Sequence, residues 1–152
     1  MKLIRCLFAV IALLSAASWA SAATFLLDDS QSQVLDPQVS LQWRSISPAK
    51  GDHQVMGNTR VQIRLNTQTY VGQTGRIFLA LPAQPGAQVN VQWQTQGMFI
   101  NGQLLSGSRA LVWQGKITSS RLEDVMSIRV QTDGRSLQSQ QALRFHFELD
   151  VP

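Results

Sequence analysis

Apolar and polar residues alternate one by one through most of this chain, and the alternation recurs often enough to set its class. Val39, Leu41 and Trp43 alternate with Ser40, Gln42 and Arg44. Val61, Ile63 and Leu65 alternate with Arg60, Gln62, Arg64 and Asn66, and Val89, Val91 and Trp93 with Gln88, Asn90, Gln92 and Gln94. At the C-terminus Leu143, Phe145, Phe147, Leu149 and Val151 alternate with Arg144, His146, Glu148 and Asp150. Successive side chains of a strand point to opposite faces, so each run lays one apolar face on a core and one polar face in water. None of these runs follows the period of a helix.

Other strands are marked differently. Residues 76–81 are apolar on both faces, as in a central or interface-covered strand. Met98-Phe99-Ile100, Asn101-Gly102 and Gln103-Leu104-Leu105 read as a tight hairpin, since Asn-Gly suits a type I′ turn. Residues 110–118 and 125–132 supply two more strands, and residues 119–124 a single helical turn with Ser120 three residues before Glu123. Turn chemistry separates these segments: Pro48 to Asp52, Gly72 to Gly75, Pro82 to Gly86 and Asp133 to Ser136. The pattern predicts an all-β fold, an antiparallel immunoglobulin-like β-sandwich of about seven to eight strands.

The first 22 residues break the pattern. Lys2 and Arg5 precede the apolar run Leu7 to Leu14, and small residues end in Ala20-Ser21-Ala22. That is the layout of a secretory signal peptide, and the apolar run is too short to span a bilayer. Residues 1–22 are therefore expected to be removed, leaving residues 23–152 as one domain. The lone cysteine, Cys6, leaves with the signal, so no disulfide, thiol chemistry or cysteine metal site is expected. No later segment is apolar enough to span a membrane.

Charge changes the picture little. Of 13 basic residues two lie in the signal, which leaves a mature charge of about +2 against 9 acidic residues. The arginines are scattered, so nucleic acid is not an expected partner. Gln is abundant and Lys rare after the signal, a composition shared by extracellular assemblies and sugar-binding modules.

Candidate chemistry is sparse. His53 and His146 are the only bases of neutral-pH range, one in a predicted loop and one on a polar strand face. No nucleophile elbow, zinc-protease, P-loop or dinucleotide motif occurs. Asp28, Asp29 and Asp36 do not have calcium-loop spacing, and Glu123-Asp124 reads as a cap or turn. Lys50-Gly51-Asp52 reads as ordinary turn chemistry. No catalytic, cofactor or metal residue is assigned, and no enzymatic activity is expected. Of the three mature tryptophans, each beside a glutamine, Trp43 and Trp93 fall on core faces. Core packing is also the first reading for Trp113, which is the one candidate ring for the alternative, stacking on a sugar with amides to hold its hydroxyls.

The signal peptide, the Gln/Thr/Ser/Val-rich strands, the domain length and the long alternating strand Leu143 to Val151 together resemble the subunits of bacterial chaperone–usher fimbriae. The resemblance implies a structural or adhesive surface subunit that polymerises by β-strand donation. Its partners would be other fimbrial subunits, a periplasmic chaperone and an outer-membrane usher, with a host or surface glycan as a receptor. Phe25 and Leu27 would belong to the donated strand. Leu143, Phe145, Phe147, Leu149 and Val151 would line the groove that receives one. The alternatives are a self-contained secreted or periplasmic binding module for carbohydrate or protein, and a periplasmic assembly factor.

Overall fold

A computed structural model describes residues 22–36, 42–43, 53–86, 88–136 and 143–152. The signal-peptide expectation, apart from Ala22, lies outside these residues, as do Val39, Leu41 and the Lys50-Gly51-Asp52 turn. Ten strands are described: β1 (Ala23–Leu26), β2 (Gln33–Val34), β3 (Gln42–Trp43), β4 (Gln54–Asn66), β5 (Thr74–Leu81), β6 (Val89–Thr95), β7 (Gly102–Leu105), β8 (Ser108–Lys116), β9 (Arg121–Asp133) and β10 (His146–Val151). The only helical pieces among the described residues are short 3-10 turns at Gln68–Tyr70 and Gly134–Ser136.

The strands form two antiparallel sheets. The smaller runs β1-β10-β5-β8; the larger runs β2-β4-β9-β6-β7, with β3 on the same side of β4 as β2. The inward residues of both meet in one core, which includes Ile63, Leu65, Ile77, Leu79, Val91, Trp93, Val112, Met126, Phe147 and Leu149. The expected all-β sandwich is thus present. Its connectivity differs from an immunoglobulin domain, whose first and last strands do not pair in this way. Here β1 pairs β10, β4 pairs β9, β5 pairs β8 and β6 pairs β7. That is the pairing of a jelly roll, in which one long folded hairpin wraps into two sheets.

Three local readings change with it. The Asn101-Gly102 step is not a hairpin turn: Gly102 opens β7 and pairs with Trp93 of β6, and residues 96–101 form a longer connection. A Cβ on Gly102 would lie 2.7 Å from the Trp93 ring, so glycine is needed for close approach. The tight turn sits instead at Ser106-Gly107, where Gly107 has φ 86° and the chain passes from the larger sheet to the smaller. The expected helical turn at 119–124 is also replaced, because Arg121 to Asp124 extend β9 against β4.

The third change concerns the termini. The terminal strand begins at His146, while Leu143 and Phe145 pack against the core just before it. It is not an edge strand. β10 lies between β5 and β1, with Ala23 opposite Val151 and Phe25 opposite Leu149. Leu27 is buried in the core, and its N–H donates to the Phe147 carbonyl at 2.9 Å. The segment Phe25 to Leu27 is therefore paired with the chain's own last strand.

Candidate binding groove

The outer faces of the two sheets differ in how their polar groups are matched. On the smaller sheet Arg109 stacks 4.2 Å from the Phe78 ring centre and pairs with Glu148 at 2.9 Å and Asp150 at 3.0 Å. Thr24 Oγ1 donates to Asp150 at 2.7 Å, and His146 Nε2 lies 3.1 Å from Glu148. The Arg109 bonds, followed by that of Thr24, hold the Asp150 carboxyl below its ordinary range. This network ties β1, β10, β5 and β8 together.

The larger sheet instead carries an open groove of about 820 Å³. Register builds it. Asn58 of β4 stands opposite Arg129 of β9, Arg129 opposite Gln92 of β6, and Gln92 opposite Gln103 of β7. One row of outward polar side chains thus crosses four strands. A second row beside it holds Arg60, Ser127 and Gln94. Residues 91 and 93, which intervene along β6, point the other way and are buried as Val91 and Trp93. Alternation makes the same strand a wall of the core and a floor of the groove.

Within the row Arg129 Nε donates to Asn58 Oδ1 at 3.2 Å, and Gln92 Nε2 to Gln103 Oε1 at 3.4 Å. One wall is the segment after β2. Leu35 N–H donates to the Arg60 carbonyl at 2.8 Å and Thr59 Oγ1 to the Asp36 carbonyl at 3.0 Å. The Arg60 guanidinium grips the Asp36 carboxylate at 2.9 and 3.1 Å, which keeps that carboxyl below its usual range.

The opposite wall is set by residues 96–101. Asp124, nearly buried, accepts from Phe99 N–H at 2.8 Å and from Val125 N–H at 2.7 Å. Trp93 Nε1 donates to the Ile100 carbonyl at 2.8 Å, and Thr95 Oγ1 to the Phe99 carbonyl at 2.6 Å. Asn101 Oδ1 accepts from Thr95 N–H at 2.8 Å, so its NH2 group remains for a ligand. Asp124 is thus the fastener of a groove wall.

The expected site residues do not gather here. Phe25, Leu27, Phe147, Leu149 and Val151 belong to the smaller sheet or the core beneath it, with Leu143 and Phe145 packed alongside. Trp113 packs against the core from β8 and is not among the groove-lining residues. The glutamines beside Trp93 line the groove with exposed amides, whereas Trp93, also at its floor, is almost wholly buried. The signal in the sequence was the run of neutral amides at the polar positions of alternating strands. A second hollow of about 550 Å³ lies where β1 begins and β10 ends, between Ala22, Arg76, Gln114 and Pro152. Among the described residues no cluster of side chains is arranged to hold a metal ion, and no helix is long and apolar enough to cross a membrane.

No family model matches the chain, and no curated protein does. Two solved structures are similar over most of its length. One is a xylan-binding domain from carbohydrate-binding module family 22, at TM-score 0.26 and 10% identity over 87% of this chain and 94% of that one. The other is the C-terminal family 22 carbohydrate binding module of a Clostridium thermocellum protein, at TM-score 0.25 and 12% identity over 84% and 90%.

Proposed function

We propose that the chain is an exported, self-contained β-sandwich module that binds a glycan chain in the groove of its larger sheet. The observation that carries this is the row Asn58, Arg129, Gln92 and Gln103, outward polar groups set side by side by register. Amides both donate and accept, as sugar hydroxyls do, so three of the four groups in this row can exchange hydrogen bonds with a ligand without charge, Arg129 being the one ionised member. The groove is a held shape, fixed by Asp124 on one side and the Asp36–Arg60 pair on the other, so little ordering cost falls on binding. The reading needs no catalytic group. Export rests on residues 1–22, and intact mass of secreted protein beginning at Ala23 checks it.

The test is titration of the purified protein with a panel of soluble polysaccharides. The double substitution Gln92→Ala and Gln103→Ala should weaken binding about tenfold or more, roughly what two lost hydrogen bonds cost. Gln114→Ala, on the smaller sheet, should leave it unchanged. Binding that survives the groove substitutions, or no binding to any glycan, rejects the reading.

A second reading, the fimbrial subunit, is favoured by one feature. β1 is a four-residue edge strand with Leu26 70% exposed, laid antiparallel on the terminal strand. A strand donated by a neighbouring subunit would pair in the same way, with a chaperone and usher as assembly partners. Fibres cross-linked through a Cys pair placed at Phe25 and Leu149 of different subunits would support it. Exclusively intramolecular cross-links would reject it.

A further inference from the structure

We infer that the groove recognises an acidic glycan, and that Arg129 binds its carboxylate; this rests on the glycan-binding reading above. The argument is one of charge matching. The groove-lining residues include three ionised side chains, Asp36, Arg60 and Arg129. Asp36 and Arg60 satisfy each other in a two-pronged pair. Arg129 has no carboxylate partner among the described residues; its one hydrogen bond is from Nε to Asn58. It is exposed, in the middle of the row, with four further N–H donors on its terminal nitrogens. A guanidinium in that state suits a planar carboxylate, which it can grip with two parallel bonds.

The neighbours bias the groove in the same direction. The Oδ1 of Asn58 and the Oδ1 of Asn101 are occupied as acceptors, and so is the Oε1 of Gln103. Their NH2 groups make none of these bonds, so the donors of all three amides are free while their oxygens are already partly engaged. An oxygen-rich anion finds donors on both sides of Arg129, whereas a cationic ligand would meet like charge. Uronic acids combine the two properties the site selects: hydroxyls for the amides and one carboxylate for the guanidinium. The alternative oxygen-rich polyanions are sulfated glycans and acidic peptides. An acidic peptide lacks the ring hydroxyls that Gln92 and Gln94 are placed to meet.

The experiment compares polygalacturonate with its fully methyl-esterified form, alongside dextran sulfate and poly-glutamate, by calorimetric titration of the full chain. Polygalacturonate is expected to bind about tenfold or more tightly than the ester, the effect of a charge-assisted bond to a carboxylate. Arg129→Gln should weaken binding of the acid far more than that of the ester, so that the preference disappears. Thermal unfolding checks that the variant is folded. Equal binding of acid and ester, or a preference that survives Arg129→Gln, overturns the inference and leaves the glycan groove standing. Binding of dextran sulfate in preference to polygalacturonate overturns the carboxylate assignment. Poly-glutamate binding as tightly as polygalacturonate through Arg129 overturns the glycan class. Absence of binding to every glycan removes the underlying reading and the inference with it.

Discussion

Gly102 and Asp150 each carry more than their residue type announces. The Trp93 indole lies over the space a Gly102 side chain would fill and is anchored by its bond to Ile100. Gly102→Ala should therefore cost about 1–3 kcal/mol through overpacking, read as a lower urea midpoint at unchanged slope. An unchanged midpoint would mean that the indole swings aside freely. Asp150 is a buried carboxylate satisfied by Arg109 and Thr24, with a folded pKa below its ordinary 3.8. A depressed folded pKa gives stability that is complete above the unfolded value and is lost as pH falls through the folded one. Wild type should accordingly lose its advantage over Asp150→Asn as pH drops below 3.8, with the difference constant above pH 6. Urea titrations of both proteins across that range would reveal an advantage that persists in acid, the outcome contrary to this linkage.

At the scale of elements, β1 protects β10. An uncovered strand with an apolar inner face invites pairing with other chains. Removing residues 23–27 also takes Leu27 out of the core. The shortened protein should be less stable by several kcal/mol, of the order of ~3 for the buried leucine alone. It should associate with rising concentration in size-exclusion chromatography. A stable monomer would show that β1 is dispensable. Along β10 itself Phe147 is 2% exposed, whereas Phe145 lies before the strand and is only partly buried. Phe147→Ala should cost about 3–5 kcal/mol in denaturant unfolding, and Phe145→Ala clearly less.

For the whole molecule, the groove is a surface spanning four strands, so its row is roughly 14 Å long at the usual strand spacing. Affinity for an oligosaccharide series should rise with length until the row is filled and then level off. Calorimetry of the graded series measures this, and affinity independent of length would point to a single-sugar site. The groove and the stability of the fold are separable. Arg129→Gln touches exposed atoms only and should alter stability by less than about 0.5 kcal/mol. On the smaller sheet Arg109, Glu148 and Asp150 are matched to one another, and β1 is paired with β10.

The alternation by itself determined that Val61, Ile63, Leu65, Val89, Val91 and Trp93 would turn inward on strands, and it determined the sandwich that follows. That information is local, because a two-residue period assigns faces within a single segment. Strand neighbours are another matter. Nothing near residue 129 marks it as the partner of Asn58, 71 residues away, or as the neighbour of Gln92. Backbone hydrogen bonding between distant segments sets that register, and with it the row of the groove. The same holds for the ends: the apolarity of Phe25 and Leu27 was legible, but their place on the chain's own last strand was not. Asn101-Gly102 carried a strong local turn signal, and the Trp93 ring overrode it by requiring a bare backbone beside it. Sequence determined which face each side chain takes; only tertiary pairing decided which side chains meet, because strand register is a property of two segments and not of one.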